Sequence, residues 1–98
     1  METNIKPDIR LSAQRALWGC VPCSLRAFSV EVGPMLVRTR SIFDETATDE
    51  DKELLSEAGT EIIADFAAPF RIEEEFVVVP KGQKMNHLST LIFLRHGP

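Results

Sequence analysis

The alternation of apolar and charged residues in the stretch FRIEEEFVVV limits the possible folds more than any other feature of the sequence. Successive side chains of a β-strand point to opposite faces of a sheet, so this stretch predicts a strand over Phe70–Val79 with one apolar and one charged face. The apolar face needs a second layer to cover it. The residues predicted to point inward are Phe70, Ile72, Phe76 and Val78.

Two amphipathic segments are suited to form that covering layer. The first covers about Asp8–Trp18 and ends before Gly19, a residue typical of helix C-termini. The second begins after Thr48, a typical N-cap residue, and runs to about Phe66 with acidic residues in its first turn. Its apolar residues at helical spacing are Leu55, Ala58, Ile62 and Phe66.

Three other segments have strand character, which gives the order α-β-β-α-β-β within a single domain, residues 1–98. Two of them, about Leu25–Val32 and Met35–Phe43, flank a turn at Gly33-Pro34, and the third is His87–Arg95. We expect a two-layer α+β sandwich in which a four-stranded, largely antiparallel sheet carries both helices on one face. The other face is predicted to hold cross-strand charge pairs among Arg38, Arg40, Glu73 and Glu75.

The composition is that of an ordinary soluble protein, with 98 residues, 44% hydrophobic and 27% charged. No apolar run approaches the roughly 20 residues that span a bilayer, and the start METNIKPDIR lacks the apolar stretch of a signal peptide. We therefore expect a cytoplasmic protein with reduced cysteines and no membrane association. A net charge of −4 argues against nucleic acid as the main partner.

The sequence LIFLRHGP resembles the Arg-His-Gly signature of histidine phosphatases. That chemistry needs further Arg and His residues and an acid or base supplied by the chain that follows, but only Gly97 and Pro98 follow His96. His87 begins an H-x-S motif, and the two-histidine phosphoesterases need two facing motifs of this kind. We interpret the segment as a strand that closes the fold.

The sequence WGCVPC resembles a thioredoxin active site. In that family a helix begins within the motif and lowers the pKa of the first thiol, whereas here a helix ends at Gly19. The negative end of that helix disfavours a thiolate at Cys20. Cys20, Cys23 and two scattered histidines are too few closely spaced ligands for a zinc site. No metal site, cofactor or catalytic residue is predicted.

Charge is distributed unevenly along the chain. The segment Asp44–Glu75 has twelve acidic and two basic residues, whereas the remainder has a net charge of +6. One interpretation is a solvated acidic helix paired with basic strands; the other is an acidic face for a basic protein partner, which would gain association rate and specificity. The residues predicted to contact such a partner are Asp44, Glu45, Glu50, Glu53, Glu57, Glu73 and Glu75.

Three stretches, IRLSAQRALWGCVPCSLRAFSVEV, FDETATDEDKELLSEAGTEIIADF and RIEEEFVVVP, resemble a group of small bacterial proteins. The shared patterns are R-L-S-x-Q-R-A-L over Arg10–Leu17, E-x-I-A-D-F over Glu61–Phe66, and a following I-x-x-E strand. The group is that of immunity proteins of contact-dependent growth inhibition and related polymorphic toxin systems. The resemblance implies a non-catalytic protein that binds and neutralises a secreted toxin's C-terminal domain, often a nuclease. A regulatory or ligand-binding domain that uses the concave sheet face is the alternative.

Overall fold

The chain has the predicted order of elements, as seen in a computed structural model that describes residues 8–97. The elements are α1 (Ile9–Ala16), β1 (Leu25–Gly33), β2 (Leu36–Phe43), α2 (Asp49–Ala64), β3 (Arg71–Val78) and β4 (Thr90–Leu94). Gly19 ends the turn after α1 in the left-handed region, with φ +77°. Thr48 caps α2 as predicted, because its hydroxyl accepts from the Asp51 N–H while the Asp51 carboxylate accepts from the Thr48 N–H.

The sheet is mixed rather than wholly antiparallel, with the strand order β3-β2-β1-β4. β1 pairs antiparallel with both β2 and β4, whereas β2 pairs parallel with β3. β3 and β4 are consecutive in the chain but lie at opposite edges of the sheet. Two long connections are needed to build this arrangement: β2 and β3 are parallel neighbours, which cannot be joined by a tight turn, and the chain must then cross the sheet from β3 to β4.

The two long connections pass over opposite faces of the sheet. α2 leads from β2 to the parallel strand β3 on the face that both helices cover. Residues 79–89, which we call the crossover segment, then return past β2 and β1 on the other face to reach β4. Connections between parallel strands are right-handed in nearly all proteins. The connection from β3 to β4 also joins parallel strands, but it runs toward the other edge of the sheet. It is therefore right-handed only if it crosses the face opposite α2.

Side chains of the sheet hold the crossover segment in place. The buried guanidinium of Arg26 donates to three of its carbonyl oxygens at 2.9–3.2 Å, and Arg40 donates to the Asn86 carbonyl at 3.1 Å. The Ser29 hydroxyl accepts from the Leu88 N–H at 3.0 Å. The predicted strand beginning at His87 is therefore wrong at its start, since the backbone at Leu88 bonds to a side chain and the ladder begins at Thr90.

The core lies between the helices and the sheet. Leu55, Ala58 and Ile62 of α2 are buried as predicted, whereas Phe66 is half-buried. The sheet residues buried against the helices are Leu25, Phe28, Val30, Val37 and Phe43. In the predicted inward row, Phe70, Ile72 and Phe76 pack against this core. Val78 shares a sheet face with the buried Phe43, as predicted, but it is not buried: it is the last residue of an edge strand and its side chain is 47% exposed.

Candidate functional site

A row of acidic side chains lies along the exposed face of α2. The helix buries Leu55 and Ile62, and residues three or four positions apart on its opposite side share one surface. We call this row the acidic stripe; its members, all exposed, are Glu50, Glu53, Glu57 and Glu61. The sequence predicted the first three, and the omitted Glu61 could have been found from its spacing of four residues after Glu57.

The carboxylates of the acidic stripe have no partners in the described part of the chain. Within residues 8–97, none of them forms an ion pair or a side-chain hydrogen bond. Four like charges on one helix face repel one another and add nothing to helix stability by pairing. The stripe is therefore a concentration of negative charge that no basic residue among 8–97 compensates by pairing.

Asp44 was predicted to face a partner, but the structure places it inside the protein, 2% exposed. Its carboxylate accepts from the N–H (2.8 Å) and hydroxyl of Thr46 and from the Arg95 guanidinium at 3.0 Å. The hydroxyl bond from Thr46, with help from its N–H and from Arg95, lowers the pKa of Asp44 to about 2 against the opposing effect of burial. Asp44 thus joins the end of β2 to the end of β4.

Glu45 is exposed beside the crossover segment. Its carboxylate accepts from the Lys81 N–H at 3.0 Å. Hydrogen bonds from its own N–H and from that of Lys81 lower the pKa of Glu45. Glu45 is thus exposed but already takes part in the fold's own hydrogen bonding, and it lies outside α2.

Glu73 and Glu75 lie on the sheet face opposite the helices, where they form the predicted cross-strand pairs. Glu75 accepts from Arg40 at 2.7 Å, and the Glu73 carboxylate lies 3.9 Å from Arg38. The structure therefore does not bring the seven predicted residues together. Asp44 is buried, Glu45 bonds to the crossover segment, two face away from the helices and are paired, and only Glu50, Glu53 and Glu57 share the acidic stripe.

Glu74, between those two residues, points toward the helix layer. The Ser56 hydroxyl donates to its carboxylate at 3.2 Å, and burial raises the pKa of Glu74. Gly59 on α2 makes room for it, because a Cβ there would collide with the Glu74 carboxylate. This acid serves the packing of α2 on β3.

The thiol and histidine motifs lack the surroundings of catalytic sites. Cys20 is buried, and burial together with the charges of Glu57 and Glu61 raises the pKa of its thiol, which disfavours the thiolate. Cys23, His87 and His96 are exposed. Among residues 8–97, no group of three or more His, Cys, Asp or Glu side chains could hold a metal ion.

Among residues 8–97, two shallow depressions lie on the sheet face opposite the helices, beside the crossover segment, with volumes of about 230 and 210 Å³. Arg40 and Glu75, which line both, are bonded to each other. These depressions are small for a ligand site, and they give little support to the alternative of a ligand-binding sheet face.

Comparison with known proteins supplies the identity that the geometry leaves open. Neither helix in the described part of the chain combines the length and the apolar composition needed to cross a bilayer. A search of curated proteins found no match. A family model described as MafI2 immunity protein matches residues 6–97, nearly the whole length, and confirms the resemblance to immunity proteins of polymorphic toxin systems. The chain belongs to the MafI2 immunity protein family.

Proposed function

We propose that this protein neutralises the C-terminal domain of a secreted toxin by binding it directly, without catalysis, and that the acidic stripe is the main electrostatic surface. The charge of Glu50, Glu53, Glu57 and Glu61, which is unpaired within residues 8–97, carries the proposal. Other acids of the charged segment, such as Asp44 and Glu75, already have basic partners within the fold. The stripe attracts a basic domain and speeds its association.

A nuclease is the toxin class that this surface fits best. A nuclease cleft carries basic residues that contact phosphates. Glutamates repeated every three or four residues on a helix lie about 4.5–6 Å apart along its axis, so the acidic stripe offers a row of negative charge in place of a nucleic acid backbone. The encounter takes place in the cytoplasm, where toxins delivered by contact-dependent growth inhibition or a related system act on nucleic acid.

Two matched double variants test the position of the surface. Glu53→Gln with Glu57→Gln removes two charges from the acidic stripe, and Glu73→Gln with Glu75→Gln removes two from the opposite sheet face. Both pairs change the net charge equally, and exposed ion pairs such as those of Glu73 and Glu75 contribute little to stability. The difference between the variants therefore reports where the charge is needed.

The measurement is the rate of association with the C-terminal domain of the cognate secreted toxin, together with protection from growth arrest. We expect the stripe variant to associate about tenfold more slowly at low salt, with a smaller difference at high salt, where charges are screened. The sheet-face variant should match the wild type. The immunity proposal fails if the wild type neither binds nor protects. If both variants associate like the wild type, the acidic-stripe mechanism fails alone.

A further inference from the structure

Three large apolar side chains are exposed on α1 and on the segment that follows it, and we call them the apolar row. Trp18 is 82% exposed, Leu11 52% and Val21 43%. Leu11 and Trp18 are seven residues apart, about two helical turns, and the backbone stays helical through Leu17, so both side chains lie on one side of α1. The helix buries Ala13 and Ala16 on its other side.

The packing of the fold does not explain why the Trp18 side chain is exposed. A tryptophan usually buries most of its large ring in a folded protein. The small residues of α1 already close the contact with the core, so the fold does not need an indole at this position. A rigid aromatic side chain held in solvent costs little entropy on binding, and tryptophan is enriched among residues that dominate binding energy.

The apolar row lies beside the acidic stripe. The Ser12 hydroxyl donates to the Asp65 carboxylate at 2.6 Å and Arg15 pairs with Asp65 at 3.2 Å, which fixes α1 against the C-terminal end of α2. Cys20, two residues after Trp18, is close enough to Glu57 and Glu61 for their charges to act on its thiol. The outer surface of the helix layer therefore combines an apolar row on α1 with negative charge on α2.

We propose that Trp18, Leu11 and Val21 form the apolar anchor of the toxin-binding surface, and that they receive a basic segment of the toxin domain in which an arginine stacks on the indole of Trp18 while neighbouring basic groups face Glu57 and Glu61. This inference rests on the proposed function. Charge complementarity selects the occupant, because the carboxylates beside the row disfavour an acidic or wholly apolar partner. Arginine is the residue that stacks best on an aromatic ring while bonding a carboxylate.

The anchor and the stripe act on different rate constants. Charges at the edge of an interface mainly change association, whereas a desolvated aromatic anchor mainly slows dissociation. Trp18→Ser should therefore raise the dissociation rate of the toxin complex by about tenfold or more and leave the association rate nearly unchanged. Trp18→Phe keeps an aromatic face and should retain part of the slow dissociation.

Met35→Asn is the matched control. Met35 is 54% exposed at the turn between β1 and β2, and its φ of +57° is a conformation that asparagine tolerates. The variant removes an exposed apolar side chain far along the chain from α1, and we expect it to bind the toxin domain like the wild type. Equal melting temperatures of all three variants and the wild type would show that the fold is intact.

Binding kinetics and fluorescence of the intact protein decide the inference. Trp18 is the only tryptophan, so 5-fluorotryptophan incorporated into this chain reports the surroundings of that one residue. Its fluorescence emission should shift when the toxin domain is added. The anchor is overturned, while the immunity function stands, if Trp18→Ser dissociates like the wild type. It is also overturned if the free protein shields Trp18 from acrylamide quenching, or if Trp18→Ser abolishes self-association of the free protein, since a second copy would then be the occupant. A wild type that binds no toxin domain overturns both proposals.

Discussion

At the scale of single residues, the pair Asp44 and Arg95 links the end of the chain to its middle. Arg95 donates to the Asp44 carboxylate at 3.0 Å and to the Cys23 carbonyl at 2.7 Å. Its backbone N–H also donates to the Arg26 carbonyl. The arginine that resembles a phosphate-binding group in LIFLRHGP therefore anchors β4 to the start of β1 and the end of β2.

This pair makes part of the stability depend on acid pH. The folded pKa of Asp44, about 2, lies below its ordinary value of 3.8. The group therefore contributes stability that is fully present above 3.8 and is lost as the pH falls through about 2. We expect Asp44→Asn to lower the free energy of unfolding by about 2 kcal/mol near neutral pH. The difference in unfolding free energy between the variant and the wild type should shrink as the pH falls from 3.8 to about 2.

Urea unfolding of both proteins across this pH range measures the effect. Glu53→Gln, which removes the same charge from a side chain outside any ion pair, controls for net charge. A difference between Asp44→Asn and wild type that stays constant down to pH 2 would contradict the role of the carboxylate charge.

At the scale of elements, the crossover segment gives a test of how one side chain positions a strand. Ser29 and Ser41 are both buried serines on the central strands. The Ser29 hydroxyl accepts from the Leu88 N–H, whereas the Ser41 hydroxyl has no hydrogen-bond partner among the described residues. The two serines therefore form a matched pair with opposite expectations.

Ser29→Ala should cost about 1 kcal/mol, because it leaves the half-buried Leu88 N–H without its partner. Ser41→Ala should be neutral or slightly stabilising, since it removes a buried hydroxyl that makes no bond. Hydrogen exchange of the Leu88 amide should become faster in Ser29→Ala and stay unchanged in Ser41→Ala. Equal exchange in both variants would mean that Ser29 does not hold the segment.

The local patterns predicted the elements well because periodicity is a local property. The spacing of Leu55, Ala58 and Ile62 and the capping of α2 by Thr48 suffice to place that helix. Strand neighbours were not predictable in the same way, because the position of β3 depends on the hand of the α2 connection. The start of β4 was misplaced because the Leu88 N–H bonds to the side chain of the distant Ser29 rather than to a neighbouring strand.

At the scale of the whole molecule, the candidate site too could be predicted only as far as local sequence patterns reach. The charge count of Asp44–Glu75 located the acidic region, and three of the seven predicted acids share the acidic stripe. The count could not separate paired from unpaired acids, because the partners are distant in sequence: Asp44 pairs with Arg95, 51 residues away, and Arg40 with Glu75, 35 residues away. Only the folded chain identifies which carboxylates remain uncompensated.

The stoichiometry of toxin inhibition distinguishes a protein that binds the toxin from one that acts on it as a catalyst. The acidic stripe and the apolar row both belong to the helix layer, where Ser12 and Arg15 of α1 bond to Asp65 at the end of α2, so we expect one chain to occupy one toxin domain. When the protein is added to a fixed amount of toxin and binding is tight, toxin activity should fall in proportion to the amount added and reach zero at about one equivalent. The residual activity at each ratio should be the same at early and late times. A protein that inactivated the toxin by modifying it would act at a small fraction of an equivalent, and activity would keep falling with time. Light scattering on the purified complex should give one toxin domain per chain, and time-dependent loss of activity with toxin in excess would refute the binding mechanism.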